Sequence, residues 1–278
     1  MARIGKKEWS KYVGTLRKVG SRARTEMLAF IDQYNRALDS GVITLEEYES
    51  ALIDYAYALA TRYGEAAGAA ACEMYDATAE LQGRVLAPAV PAETATMAET
   101  AKAVKGTMKT GSPNIIADAV GRLVKQVGAD TTLQNAKRDR AYFAWIPSGD
   151  TCAYCLTLAG LGWQKAGKLT LEGGHAEHIH ANCDCTYAID FRGDLEIAGY
   201  DPHKINQSIL EMTGEEYDAE DIIRMSGHSA KGHENEALNM MRRKFYDENK
   251  EIINAQKRDA YAKRMERNSS AAEEINVD

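Results

Sequence analysis

Four of the five cysteines, Cys152, Cys155, Cys183 and Cys185, fall within one 34-residue window, and His180 precedes the second pair by three residues. The window reads Cys-x-x-Cys, a spacer of 27 residues, then Cys-x-Cys. Thiolates and imidazoles at these spacings suit a tetrahedral zinc ion, because a short turn can present two sulfurs to one metal. Any fold that fills such a site must bring both ends of a long spacer to one point. Five donors compete for four positions. Cys152, Cys155 and Cys183 form the base set; His180 has the metal-loop spacing and Cys185 the strand geometry for the fourth. A closed set of four ligands leaves no position for water, so the expected cofactor is one structural Zn2+ per chain, with no catalytic residue. His175 and His178, in the glycine-rich spacer, read as surface histidines, with a supporting or substitute ligand role as the alternative.

Charged residues make up 27% of the chain and hydrophobic ones 45%, the balance of a folded soluble protein. The N-terminal residues carry lysines but no apolar run behind them, so no secretory leader is expected, and no segment reaches the length of a membrane span. In a reducing cytosol clustered cysteines hold metal more often than they form disulfides. The alternative pairing would join Cys183 or Cys185 to Cys152 or Cys155. A net charge of −7 argues against a protein that coats DNA.

The periodicity predicts a mainly α chain with one small α+β module. Apolar residues from Trp9 to Leu38 recur in threes and fours, with Gly20 marking a break near Val19–Ser21. Thr44-Leu45-Glu46-Glu47 is a capping box that opens a helix to about Leu81, with a seam of Tyr48, Leu52, Tyr55, Leu59, Tyr63, Ala66, Ala70, Met74, Ala77 and Leu81. Such a seam fits a hairpin, an oligomeric bundle between copies of the chain, or the buried face of a globular helix. Cys72, beside it, reads as a core residue.

Four regions follow: 1–82, long N-terminal helices; 83–112, a linker or arm with a helix between Ala92 and Met108; 113–192, the module that carries the knuckle; and 193–278, an acidic and then mixed helical tail. Within the third, a helix from Pro113 buries Ile115, Ile116, Ala119, Leu123 and Val127 and stops at Gly128. A second capping box, Thr131 to Gln134, opens a short helix to Arg138–Arg140. Strands are expected near 141–146 and 184–191. Paired antiparallel, they would set both cysteine pairs at one end of the sheet, with Cys183, Cys185 and Tyr187 on one face. In the tail, Glu234 to Asn268 reads as one helix, and the last ten residues as disordered.

The text Trp145-Ile146-Pro147-Ser148-Gly149-Asp150-Thr151-Cys152-Ala153-Tyr154-Cys155, followed by His180-Ala181-Asn182-Cys183-Asp184-Cys185, resembles the head-morphogenesis proteins of tailed bacteriophages, the family named for the F protein of phage Mu. The match spans about 55 residues, Arg138 to Arg192; Ala181 and Asp184 stand where that family has proline and arginine. The resemblance implies a structural minor capsid protein of the phage head, made in the bacterial cytoplasm and carried in the virion. Its partners would be the portal or major capsid protein, with packaged DNA as a further contact. Two alternatives stay open: a zinc-dependent His-Asn-His-like nuclease using His178 and His180, and a metal-stabilised nucleic-acid-binding module using Arg122, Lys125, Lys137, Arg138 and Arg140.

Overall fold

The computed structural model describes residues 2–147, 153–167, 171 and 185–213, with isolated positions between 250 and 258. Three long helices carry about half of the described chain: α1 (Lys6–Asp39), α2 (Leu45–Leu81) and α4 (Pro113–Arg138). They pack on one another, and the shorter α3 (Met97–Met108) closes over α2 and α4. Thr44 and Glu47 form the expected capping box at the start of α2, and Thr96 and Glu99 form another at the start of α3. Each satisfies amides that the first helical turn would otherwise leave unpaired.

Several elements differ from the reading of the sequence. α1 runs unbroken through Gly20. That glycine marks a close approach: a Cβ at Gly121 of α4 would lie 3.7 Å from the Gly20 carbonyl oxygen. α4 is also one helix. Gly128 does not end it, and Thr131 and Thr132 do not open another. Their hydroxyls donate to the carbonyls of Val127 and Gly128, four residues back inside the same helix. Ile115, expected in the core, is exposed, whereas Ile116, Ala119, Leu123 and Val127 are buried.

The buried face of α2 follows the expected seam at Tyr48, Leu52, Leu59 and Ala70, with Tyr55, Tyr63 and Met74 partly buried. Further on it turns to Ala60, Gly64, Ala67, Gly68, Ala71 and Tyr75, leaving Ala66, Ala77 and Leu81 exposed. Large residues drew the expected seam, but small ones let α4 come close, and that contact decides which side faces inward.

The stretch expected to be a linker or arm is fastened along its length. Asn135 works like a peptide unit: its Oδ1 accepts from Val90 N at 3.0 Å and its Nδ2 donates to Val90 O at 2.8 Å. Ala92 N donates to Thr131 Oγ1, Ala89 N to Asp76 Oδ1, and the Arg138 guanidinium to the carbonyls of Ala87 and Pro88. Composition gave no sign of this, because the donors and acceptors are contributed from α2 and α4, far along the chain. Asn135→Ala is expected to release this strap at a cost of about 2 kcal/mol, the range for losing buried hydrogen bonds to backbone groups. Tryptic cleavage after Arg84 should accelerate with it; unchanged digestion would show that the amide does not hold the strap.

Beyond α4 the chain enters a three-stranded antiparallel sheet of order β3-β2-β4, with β2 (Tyr142–Ile146) in the centre, β3 (Gln164–Lys165) and β4 (Thr186–Asp190). The pairing of β2 with β4 runs from Tyr142↔Asp190 to Ile146↔Thr186. Both faces are covered. Phe143, Trp145, Tyr187 and Ile189 join Tyr75, Leu133, Leu158 and Ile209 in one core. Ala144, Ile146 and Ala188, on the other face, meet Trp9, Tyr12 and Val13 of α1 in a second. A third core lies between the helices, around Met27, Leu52 and Val120.

A short parallel pair joins the two ends of this body: β1 (Arg3–Ile4) lies against β5 (Glu196–Ile197). The helix expected from Glu234 to Asn268 falls mostly outside the described residues; Lys250, Glu251, Asn254, Ala255 and Arg258 are helical.

Candidate metal centre

The register of β2 and β4 determines where the cysteines can meet. β2 ends at Ile146, opposite the first residue of β4, so the chain leaves one strand at the end where it enters the other. Pro147 follows Ile146, and Cys185 immediately precedes Thr186. Cys185 is half-buried against the core of Phe143, Trp145 and Tyr187. The alternation expected for Cys185 and Tyr187 holds.

Further along the chain, α5 (Ala153–Gly160) places Cys155 in the same core, 1% exposed. α5 is short, and its end is secured by the next helix, α6 (Pro202–Thr213). Asn206 Nδ2 donates to Gly160 O at 2.6 Å, and the hydroxyl of Tyr200, just before α6, donates to Ala159 O at 2.8 Å. These bonds satisfy carbonyls that a helix end leaves open. Burial pushes the Tyr200 hydroxyl above its ordinary pKa, so it stays a donor. A side chain at Gly160 would collide with Asn206, with a Cβ 2.2 Å from its Oδ1.

Cys152, His180 and Cys183 lie outside the described residues, as do His175 and His178. Among the described residues no three histidine, cysteine or carboxylate side chains converge on a point that could hold a metal. Two of the five expected ligands, one from each cysteine pair, pack on one core. A buried thiol in apolar surroundings is inert as a nucleophile unless a cation stabilises its thiolate.

The basic residues named in the nucleic-acid alternative do not gather. Arg122 and Arg138 are sixteen residues apart on α4, about 24 Å along its axis. Arg138 is engaged with Asp139 and with the strap carbonyls. The hydrogen bond from Arg138, followed by that from Tyr75, holds the Asp139 carboxyl below the usual aspartate range. Cys72 is half-buried, and burial raises its thiol above the ordinary value.

One feature of the sheet was not read from the sequence. Asp190, at the end of β4, is fully buried and accepts hydrogen bonds from Gln82 Nε2 (2.6 Å), Arg192 N (2.8 Å) and Leu195 N (2.6 Å). Gln82 Oε1 in turn accepts from Phe191 N, and Arg192 Nη2 donates to Gln82 O. The end of α2, the end of β4 and the turn after it are thereby joined at one buried carboxylate. A lone acid closing an apolar strand is the signal that points to it. The Trp145 indole N–H is also buried, with no hydrogen-bond acceptor among the described residues.

A family model described as VG15 protein matches residues 3–212. The chain belongs to the VG15 protein family. The match begins at β1 and ends within α6, so the helical body, the sheet and the cysteine window all lie inside it. It points to a viral protein. No curated protein and no solved structure matches this VG15 chain. Among its described residues no helix is long and apolar enough to cross a membrane.

Proposed function

We propose that this VG15 protein is a structural minor head protein of a tailed phage that acts in head morphogenesis, and that a Cys/His zinc site staples its sheet. The observation that carries the reading is the antiparallel β2–β4 pair. The chain leaves β2 at the end where β4 begins beside Cys185, and Cys155 and Cys185, members of two distant cysteine pairs, both pack on the core under the sheet. Cys155 and Cys185 are the described candidates to hold the ion, with Cys152, Cys183 and His180 as the others. Bound zinc supplies a cross-link across the 27-residue spacer, and with four protein ligands it does no chemistry on a substrate.

The match to a viral family favours a virion component, and the resemblance of the cysteine window favours the phage head, with the portal or major capsid protein as partner. The nuclease alternative depends on His178 and His180. The nucleic-acid module built on α4 is weakened by the engagement of Arg138 with Asp139 and the strap.

The test is elemental analysis of untagged protein together with co-expression beside the portal and major capsid proteins. One zinc per chain is expected, lost in Cys155→Ser and Cys185→Ser. Melting should fall by about 10 °C in both, equivalent to a few kcal/mol at 2–4 °C per kcal/mol for a body of this size. The wild type should co-purify with a head protein. A metal-free wild type with the same melting temperature would remove the zinc staple. DNA cleavage that needs a divalent metal and disappears in His180→Ala would replace the structural role with the nuclease one.

A further inference from the structure

Residues 3–24 contain eight lysines and arginines against one acid, Glu8, in a chain whose net charge is −7. α1 turns that run into a surface. Trp9, Tyr12, Val13, Gly20 and Ala23 are buried, whereas Lys7, Lys11, Lys18 and Arg22 are exposed. The four exposed cations recur at steps of four, seven and four residues. At 3.6 residues per turn this aligns them on one face, opposite the buried one, over about 22 Å. Gly14 and Thr15, exposed between them, leave the face free of bulk.

Lys7, Lys11 and Lys18 form no ion pair with any described residue. Arg22 lies near Glu26, but Tyr63 and Arg62 both hydrogen-bond that carboxylate. An acidic protein thus keeps a continuous cationic stripe whose charge is not cancelled within the described body.

The chemistry of the stripe discriminates among partners. A protein partner is gripped through buried aromatic and large apolar anchors. None is offered here: the exposed large hydrophobic residues of the described chain begin only at Val42. A membrane surface would need the apolar face of α1, which is buried in the fold. Single-stranded nucleic acid is held by exposed aromatic platforms, which the stripe also lacks. What remains is a line of cations suited to a regular array of phosphates.

We propose that this face of α1 binds the phosphate backbone of double-stranded DNA without reading its bases. The proposal deepens the head-protein reading, on which packaged DNA as the natural ligand rests, and it gives that contact a surface built without any of the cysteines.

Fluorescence anisotropy of the full-length protein with a 30-base-pair duplex, measured across a salt series, tests it. Four phosphate contacts predict log K falling with log salt at a slope of about −3.5. The quadruple variant Lys7→Gln, Lys11→Gln, Lys18→Gln, Arg22→Gln should lose most of that slope and bind at least about ten-fold more weakly at low salt. Its melting temperature, zinc content and capture of head protein should match the wild type. The exposed pair Lys102→Gln, Lys109→Gln on and after α3 should leave binding unchanged. Absence of wild-type binding at low salt overturns the proposal, as does an unchanged slope in the quadruple variant. A quadruple variant that keeps DNA but loses the head protein also overturns it, since the stripe would then be a protein contact. Failure of the wild type to capture any head protein counts against the head-protein reading and leaves the DNA result to stand alone.

Discussion

Asp190→Ala is expected to destabilise the protein by about 4 kcal/mol, at the upper end of the effects of single substitutions. Three donors point at the missing carboxylate, and two of them are backbone amides that cannot turn away. A hydrogen bond to a charged group contributes about 1.5–3 kcal/mol, and a buried donor left without a partner costs about 1–3 kcal/mol. Some relaxation of the turn at Arg192–Asp194 offsets part of the sum. Asp190→Asn keeps the shape but turns an amide toward one of the donors, so it should cost about half as much. Urea denaturation of the three proteins gives the ranking, and a loss below about 1 kcal/mol for the alanine variant would rule out a structural role for the node. The effect should reach the cysteines. β4 starts beside Cys185 and ends at Asp190, so loosening one end of a five-residue strand loosens the other. On the proposed zinc staple, reduced metal retention in Asp190→Ala is the expected companion result.

Gly68→Leu is expected to cost about 3 kcal/mol, through crowding at the point where α2, α4 and the strap converge. A Cβ alone would lie 3.2 Å from Pro91 Cβ, 3.4 Å from Thr131 Oγ1 and 3.5 Å from Val127 Cγ1. An alanine therefore brings tight contact but gains about 1 kcal/mol of helix propensity, and the two nearly cancel. The remaining three carbons of leucine have no space, and overpacking of this kind costs about 1–3 kcal/mol, more where backbone must move. The element that yields is the strap, because only side-chain hydrogen bonds hold it. Amide exchange at Val90 and Ala92 should accelerate more than exchange within α2. Combined with Asn135→Ala, which frees the same strap, the loss should be smaller than the sum of the two. Strict additivity would place the strain elsewhere.

Elements that depend on neighbouring residues were legible in the sequence. The capping box at Thr44, the extents of α1 and α2, both main strands and their antiparallel pairing follow from local patterns, and the structure carries them. Thr96-Met97-Ala98-Glu99 carries the same box motif as Thr44 and could have located the start of α3. The misplaced features depend on distant partners. Thr131 resembles a helix cap in sequence, yet its hydroxyl serves Val127 and Ala92 within a continuous α4. Gly20 resembles a break because α4, which approaches it, is a hundred residues away. Along α2 the small residues form the contact face, and hydrophobicity alone does not rank glycine above leucine. At the candidate site, spacing suggested the ligand types, and of the five residues only Cys155 and Cys185 lie among those described, both on the core that covers one face of the sheet. The Asp190 node escaped because its partners, Gln82 and the turn amides, carry no motif.

The parallel pairing of β1 with β5 also sets a schedule for synthesis. Glu196 and Ile197 leave the ribosome 193 positions after Arg3 and Ile4. At about 5–20 residues per second, that interval is roughly 10–40 s. Throughout it, Trp9, Tyr12 and Val13 have neither Ala188 of β4 nor Leu195 and Ile197 to cover them. The nascent chain thus carries a sticky aromatic face on α1 until the sheet is complete, and host chaperones have that window in which to hold it.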